Sequence, residues 1–166
     1  MVIIPFVKLK YKTDLSVDET IEILDNNIEP KKFSPFGGLG YTELFRGDLL
    51  EDNFKIIRNT HFRNPFIPII QGKIYKENGK TVIKIFLRMH FIVMIFLVYW
   101  FVAFIMPVYN NIYNILVNEF GSLNIIVGNI IVILLVYIIM ILFFNYDKVK
   151  IENIIKDLLE AELTKK

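Results

Sequence analysis

Arg46, Arg58 and Arg63 fall within an eighteen-residue stretch, and two of them sit beside asparagines, Asn59 and Asn64. A guanidinium presents a planar fork of donors that matches carboxylates, phosphates and lipid headgroups. A cluster of three could therefore hold an anion or an anionic lipid. The same side chains could pair with Glu43, Asp48, Glu51 and Asp52, which are close in sequence. Charged groups on folded domains are mostly solvated or locally paired, so local pairing is the expected role and anion binding the sharper alternative.

Other chemistry-bearing types are sparse. Gly37, Gly38 and Gly40 suggest a phosphate cradle, but no Gly-Lys-Ser/Thr opens a helix there and no G-x-G-x-x-G follows a strand, so a turn is expected. His61 and His90 are the only histidines, one in a connection and one at the edge of an apolar run. Two unrelated imidazoles make neither a metal site nor an oriented base. No serine lies in a G-x-S-x-G context. Asp18-Glu19 and Glu51-Asp52 read as a helix first turn and a hairpin turn. The absence of cysteine removes disulfides, thiolate metal sites and cysteine nucleophiles. No catalytic set, metal or cofactor is expected, and the chain reads as a non-enzyme.

The elements that must position these residues are dominated by two apolar runs. No Asp, Glu, Lys or Arg occurs from Met89 to Asn118 or from Phe120 to Tyr146; only Glu119 interrupts. Residues 91–108 and 123–144 are each long enough to cross a hydrocarbon core, which needs about 20 apolar residues. Together, 91–144 is expected to be a transmembrane helical hairpin. Its interior carries no charge, which argues against a proton relay or ion-coupled transport. Trp100, Asn124, Gly128 and Asn129 are expected to serve packing inside the membrane, the asparagines by hydrogen bonds across helices. Pro107 is tolerated near the end of a span. Tyr109 and Tyr113 fit an aromatic belt, with Arg88 and Lys148 at the opposite interface.

Basic residues set the expected orientation. Lys73, Lys76, Lys80, Lys84 and Arg88 precede the runs, Lys148, Lys150 and Lys156 follow them, and the connection has none. Both termini are then cytoplasmic, in an inner membrane. The first residues lack the basic region, apolar core and cleavage site of a secretory signal, so insertion is expected to begin at the hairpin. Outside it, residues 1–88 hold 14 Lys or Arg against 11 Asp or Glu, and residues 147–166 hold five of each. A net charge of +2 is too small and too dispersed for nucleic acid.

The flanking segments read as one cytosolic α+β domain made of 1–90 and 145–166. Val7, Leu9 and Tyr11 alternate with Lys8, Lys10 and Lys12, the period of a half-buried strand. Ser16 and Glu19 match a capping box, followed by Val17, Ile21, Leu24 and Ile28 at helical spacing. Strands are expected over 41–47, 53–59, 66–76 and 80–90, joined by a turn at 48–52 and by Asn78-Gly79, a strong hairpin signal. They form an antiparallel meander. Ile151, Ile154, Ile155, Leu158 and Leu159 make an amphipathic stripe that closes the domain against the first part or against a second copy.

Phe45-Arg46-Gly47, Phe54 to Asn59, Phe62 to Ile74 and Leu87 to His90 carry a pattern of the form F-x-G, F-x-I-x-R, (Y/F)-R-N-x-F-x-P-x-x-x-G-x-I. In this the chain resembles a group of small uncharacterised bacterial membrane proteins in which the pattern precedes a two-helix hairpin. Phe62 and Pro65 stand where the group has tyrosine and serine. The resemblance implies the architecture and no activity.

Three functions fit these features. The leading one is a non-enzymatic binding or interaction domain mounted on the hairpin, with the lipid bilayer and a homo-oligomer or another membrane protein as partners. The others are a membrane-disrupting, pore-forming effector triggered through the cytosolic domain, and a small lipid- or ligand-binding module.

Overall fold

A computed structural model describes residues 2–30, 43–60, 64, 66–117 and 123–164. Gly37, Gly38, Gly40, His61 and Arg63 lie outside the described residues. The fold is α+β, with a seven-stranded mixed sheet and two long apolar helices that could span a membrane.

The chain opens with β1 (Phe6–Thr13), whose period-two pattern buries Tyr11 and Thr13. Helix α1 (Val17–Asp25) starts on the expected capping box: Glu19 N donates to Ser16 Oγ at 3.2 Å, and Ser16 N donates to Glu19 Oε2 at 2.8 Å. The bond from the Ser16 backbone N–H holds the Glu19 carboxyl below its usual range. The helix buries Thr20 and Leu24 and packs against β5 (Ile69–Glu77). Ile28 does not continue the helix. It begins β2 (Ile28–Pro30), which pairs parallel with β3 (Phe45–Leu50) and makes the sheet mixed rather than purely antiparallel.

From β3 the chain does run as an antiparallel meander through β4 (Asn53–Arg58), β5 and β6 (Lys80–Arg88). Asp48 belongs to β3, opposite Lys55, and the turn expected over 48–52 narrows to Glu51-Asp52, with Glu51 at φ 53°. Asn78 and Gly79, at φ 54° and 81°, form the two-residue turn between β5 and β6; with both residues at positive φ, its backbone matches the right-handed twist of the flanking strands. β1 lies against β6, giving the order β2-β3-β4-β5-β6-β1-β7.

The apolar run after β6 forms α2 (Phe91–Val117), longer than the expected span of 91–108. Asn111 Nδ2 donates to the Pro107 carbonyl at 3.0 Å, so this polar residue is accommodated within the helix. The second run forms α3 (Leu123–Leu159), which continues unbroken through the expected second span and the amphipathic tail. It ends with Glu160 at φ 45° and a bond from Ala161 N to the Lys156 carbonyl at 3.1 Å. That is a Schellman stop. It turns the chain into β7 (Glu162–Leu163) on the free edge of β1.

The molecule divides into two compact units, one made of residues 1–90 and 143–166 and the other of residues 91–142. In the first, one sheet face is the core. Phe45, Ile56, Ile70, Ile74, Ile83 and Leu87 are buried from the sheet, as are Phe144, Ile151, Ile155 and Leu159 of α3. In the second, the apolar side chains are largely uncovered: only 6% and 11% of the most apolar stretches of α2 and α3 are buried.

Candidate functional site

The sheet unit has two chemically different faces, and strand register assigns each charged residue to one of them. Phe45 and Arg58 are partners across β3 and β4, while Arg46 is the partner of Ile57. Alternation then puts Arg58 on the core face and Arg46 on the opposite one. The two arginines therefore do not share a site.

On the core face Arg58 meets a carboxylate that sequence proximity did not suggest. Its guanidinium pairs with Asp147 of α3, 89 residues away, and the Asp147 side chain is only 1% exposed. Asn64 Nδ2 donates to the second carboxylate oxygen of Asp147 at 3.0 Å. Asn64 Oδ1 accepts from Phe66 N at 3.0 Å, which fixes the approach to β5. The ring of Phe66 stacks on Phe143 with centroids 6.0 Å apart. Both oxygens of a buried anion are thus satisfied by donors from β4 and the segment before β5, which is what burial of a charge demands. Asn59 Nδ2 donates to the Glu43 carbonyl at 2.9 Å, closing the loop end beside it. The sequence signal for Asp147 is faint: it is the first charged residue after the second apolar run.

The outer face is basic. Lys10 of β1, Lys84 of β6 and Lys73 of β5 are register partners in a row, and Lys8, Phe86 and Gln71 form the next row. Lys10 Nζ lies 2.5 Å from Glu77 Oε2, and Lys73 Nζ lies 3.1 Å from Asp52 Oδ2. The bond between them raises the Lys10 pKa and lowers that of Glu77. Arg88 Nε donates to Gln71 Oε1 at 3.0 Å at the end of the same face. Alternating lysines in β1 were legible; their alignment with Lys84 and Lys73 requires the register.

The remaining expected residues are scattered. Lys148 pairs with Glu152 one turn on at 2.8 Å, both side chains mostly covered. Trp100 packs on Phe104 of its own helix, centroids 4.2 Å apart. Tyr109 and Tyr113 are exposed on α2. Asn129 Nδ2 donates to the Ile125 carbonyl of its own helix at 2.8 Å rather than across helices. A Cβ added at Gly128 would meet nothing within 4 Å, and Asn124 is exposed. Among the described residues no group of three or more His, Cys, Asp or Glu is arranged to hold a metal ion.

Comparison with protein-family models, curated proteins and solved structures found no match to this chain.

Proposed function

We propose that the protein is an integral membrane protein whose sheet unit is a non-enzymatic binding module, carried on α2 and α3 in an inner membrane. The observation that carries this reading is the uncovered apolar surface of the two helices. Phe91, Ile92, Phe96, Val98 and Tyr99 on α2 and Leu134, Leu135, Ile138 and Leu142 on α3 are all more than half exposed. In water this would be an apolar patch far beyond what a soluble monomer carries. Within a bilayer it is the ordinary outer surface of a spanning helix, whose backbone groups are satisfied internally. The sheet unit supports a binding role because its core face is closed by α3 while its outer face carries a row of lysines beside Phe86.

The test is extraction. Membranes from cells making the full-length protein are washed with alkaline carbonate and then with mild detergent. Retention through carbonate and release only by detergent is expected. Release by carbonate or by high salt would overturn the membrane assignment.

A further inference from the structure

Three lysines stand in line across three adjacent strands. Lys84 on β6 is the register partner of Lys10 on one side and of Lys73 on the other, so all three leave the sheet on its outer face. Like charges directly opposite on neighbouring strands destabilise a sheet. At the ends of the row this is relieved, by Glu77 for Lys10 and by Asp52 for Lys73. Among the described residues the central lysine has no such ion pair. Among the described residues Lys84 makes no ion pair or hydrogen bond through its ammonium; the carboxylate of Glu77 feels it only through the longer-range field.

A groove of about 830 Å³ lies over this row. Its lining includes Lys8, Lys10, Lys73 and Lys84, with Gln71 and Phe86 beside them. The volume falls within the range of small-molecule sites, about 300–1,000 Å³. Adjacent strands are about 4.8 Å apart, so three lysines in register span roughly 10 Å. That is longer than a single phosphate group and suits a short run of them. Lysine binds phosphate as a point charge, without the bidentate geometry that an arginine fork would impose. Phe86, with Lys8 Nζ 6.0 Å from its ring centroid, supplies a flat apolar surface next to the charged row, and Gln71 supplies an amide.

We propose that this groove binds a soluble, multiply charged phosphate compound of nucleotide size, with Lys84 as the central contact. The phosphates lie along Lys10, Lys84 and Lys73, and the remainder of the molecule lies over Phe86 and Gln71. The bound anion supplies a direct countercharge to Lys84, where the sheet offers only the longer-range field of Glu77. This assignment rests on the reading of the sheet unit as a binding module and is independent of whether the apolar helices cross a membrane.

The test uses full-length protein in phosphatidylcholine nanodiscs, titrated calorimetrically with tripolyphosphate at low salt. Saturable binding that weakens as salt rises is expected. Lys84→Gln should weaken it about tenfold or more, the loss of one charge-assisted contact, and Lys84→Arg should retain most of it. Lys76→Gln removes the same charge from the opposite face, where Lys76 is the partner of Thr81, and should leave binding unchanged. Thermal melting of Lys84→Gln should be no lower than that of the parent, since repulsion is removed. Two results would overturn the proposal: no saturable binding of tripolyphosphate, which would leave anionic lipid as the remaining ligand, or equal weakening by Lys84→Gln and Lys76→Gln. Release of the protein by carbonate would defeat the membrane reading alone. Retention in the membrane without tripolyphosphate binding would defeat this one alone.

Discussion

Gly72 shows how a single missing carbon sets the packing of the sheet core. It lies opposite Phe54 in the β4–β5 register, and a Cβ placed there would sit 2.2 Å from Phe54 Cζ. The aromatic ring fills the space a side chain would take. At Gly47 an added Cβ would lie 2.3 Å from the Lys55 carbonyl oxygen, and backbone cannot swing aside as a ring can. Forcing extra volume into a packed core costs about 1–3 kcal/mol. Gly72→Ala is expected to lower stability by about that amount and Gly47→Ala by more, read from thermal or denaturant melts in mild detergent. Gly128→Ala should be neutral by the same measure, because open space surrounds that position. Both core glycines were visible in the sequence as members of the F-x-G and P-x-x-x-G pattern. Their reason was not, because it depends on which residue faces them across the strand pair.

Among the elements, legibility followed the length and independence of the signal. β1, the α1 capping box and the Asn78-Gly79 turn each declare themselves within a few consecutive residues, and each forms as expected. β2 and β7 are three and two residues long, too short to show a period, and exist only as pairings to β3 and β1. The tie between β4 and α3 was equally hidden, since Arg58 and Asp147 lie 89 residues apart. That tie makes a prediction. Arg58→Ala leaves a carboxylate that is 1% exposed without its cation, and uncompensated buried charge costs about 3–5 kcal/mol. The unfolding midpoint of the sheet unit should fall accordingly. Arg58→Met combined with Asp147→Leu should recover most of the loss, because no charge is then buried. Equal destabilisation in the single and double variants would show that the pair matters for shape rather than charge.

For the whole molecule, the lysine asymmetry around the apolar helices makes orientation testable. The protein has no cysteine, so single cysteines report without background. With both flanks cytoplasmic, a cysteine at Ser122 is expected to react with an impermeant maleimide added to intact cells, and one at Ser34 to react only after lysis. The reverse pattern would invert the orientation. The apolar runs that raise this question were the plainest feature of the sequence, since spans of this length need no register to be recognised. What the sequence could not show is which parts of the flanks meet, because that depends on contacts over the longest separations in the chain.

The sheet unit is drawn from both sides of the apolar segment, and this orders events during synthesis. When Arg88 has been made, all six strands from β1 to β6 exist, but Asp147, Ile151, Ile155 and Leu159 do not. Arg58 then has no carboxylate to meet, and the face that will become the core is open to water. About 70 residues separate Arg88 from Leu159, which at roughly 5–20 residues per second is an interval of several seconds. The nascent sheet must spend that interval unfinished while the greasiest part of the chain emerges. Folding of the sheet unit is therefore timed by the ribosome, and its completion waits on the apolar segment that divides it.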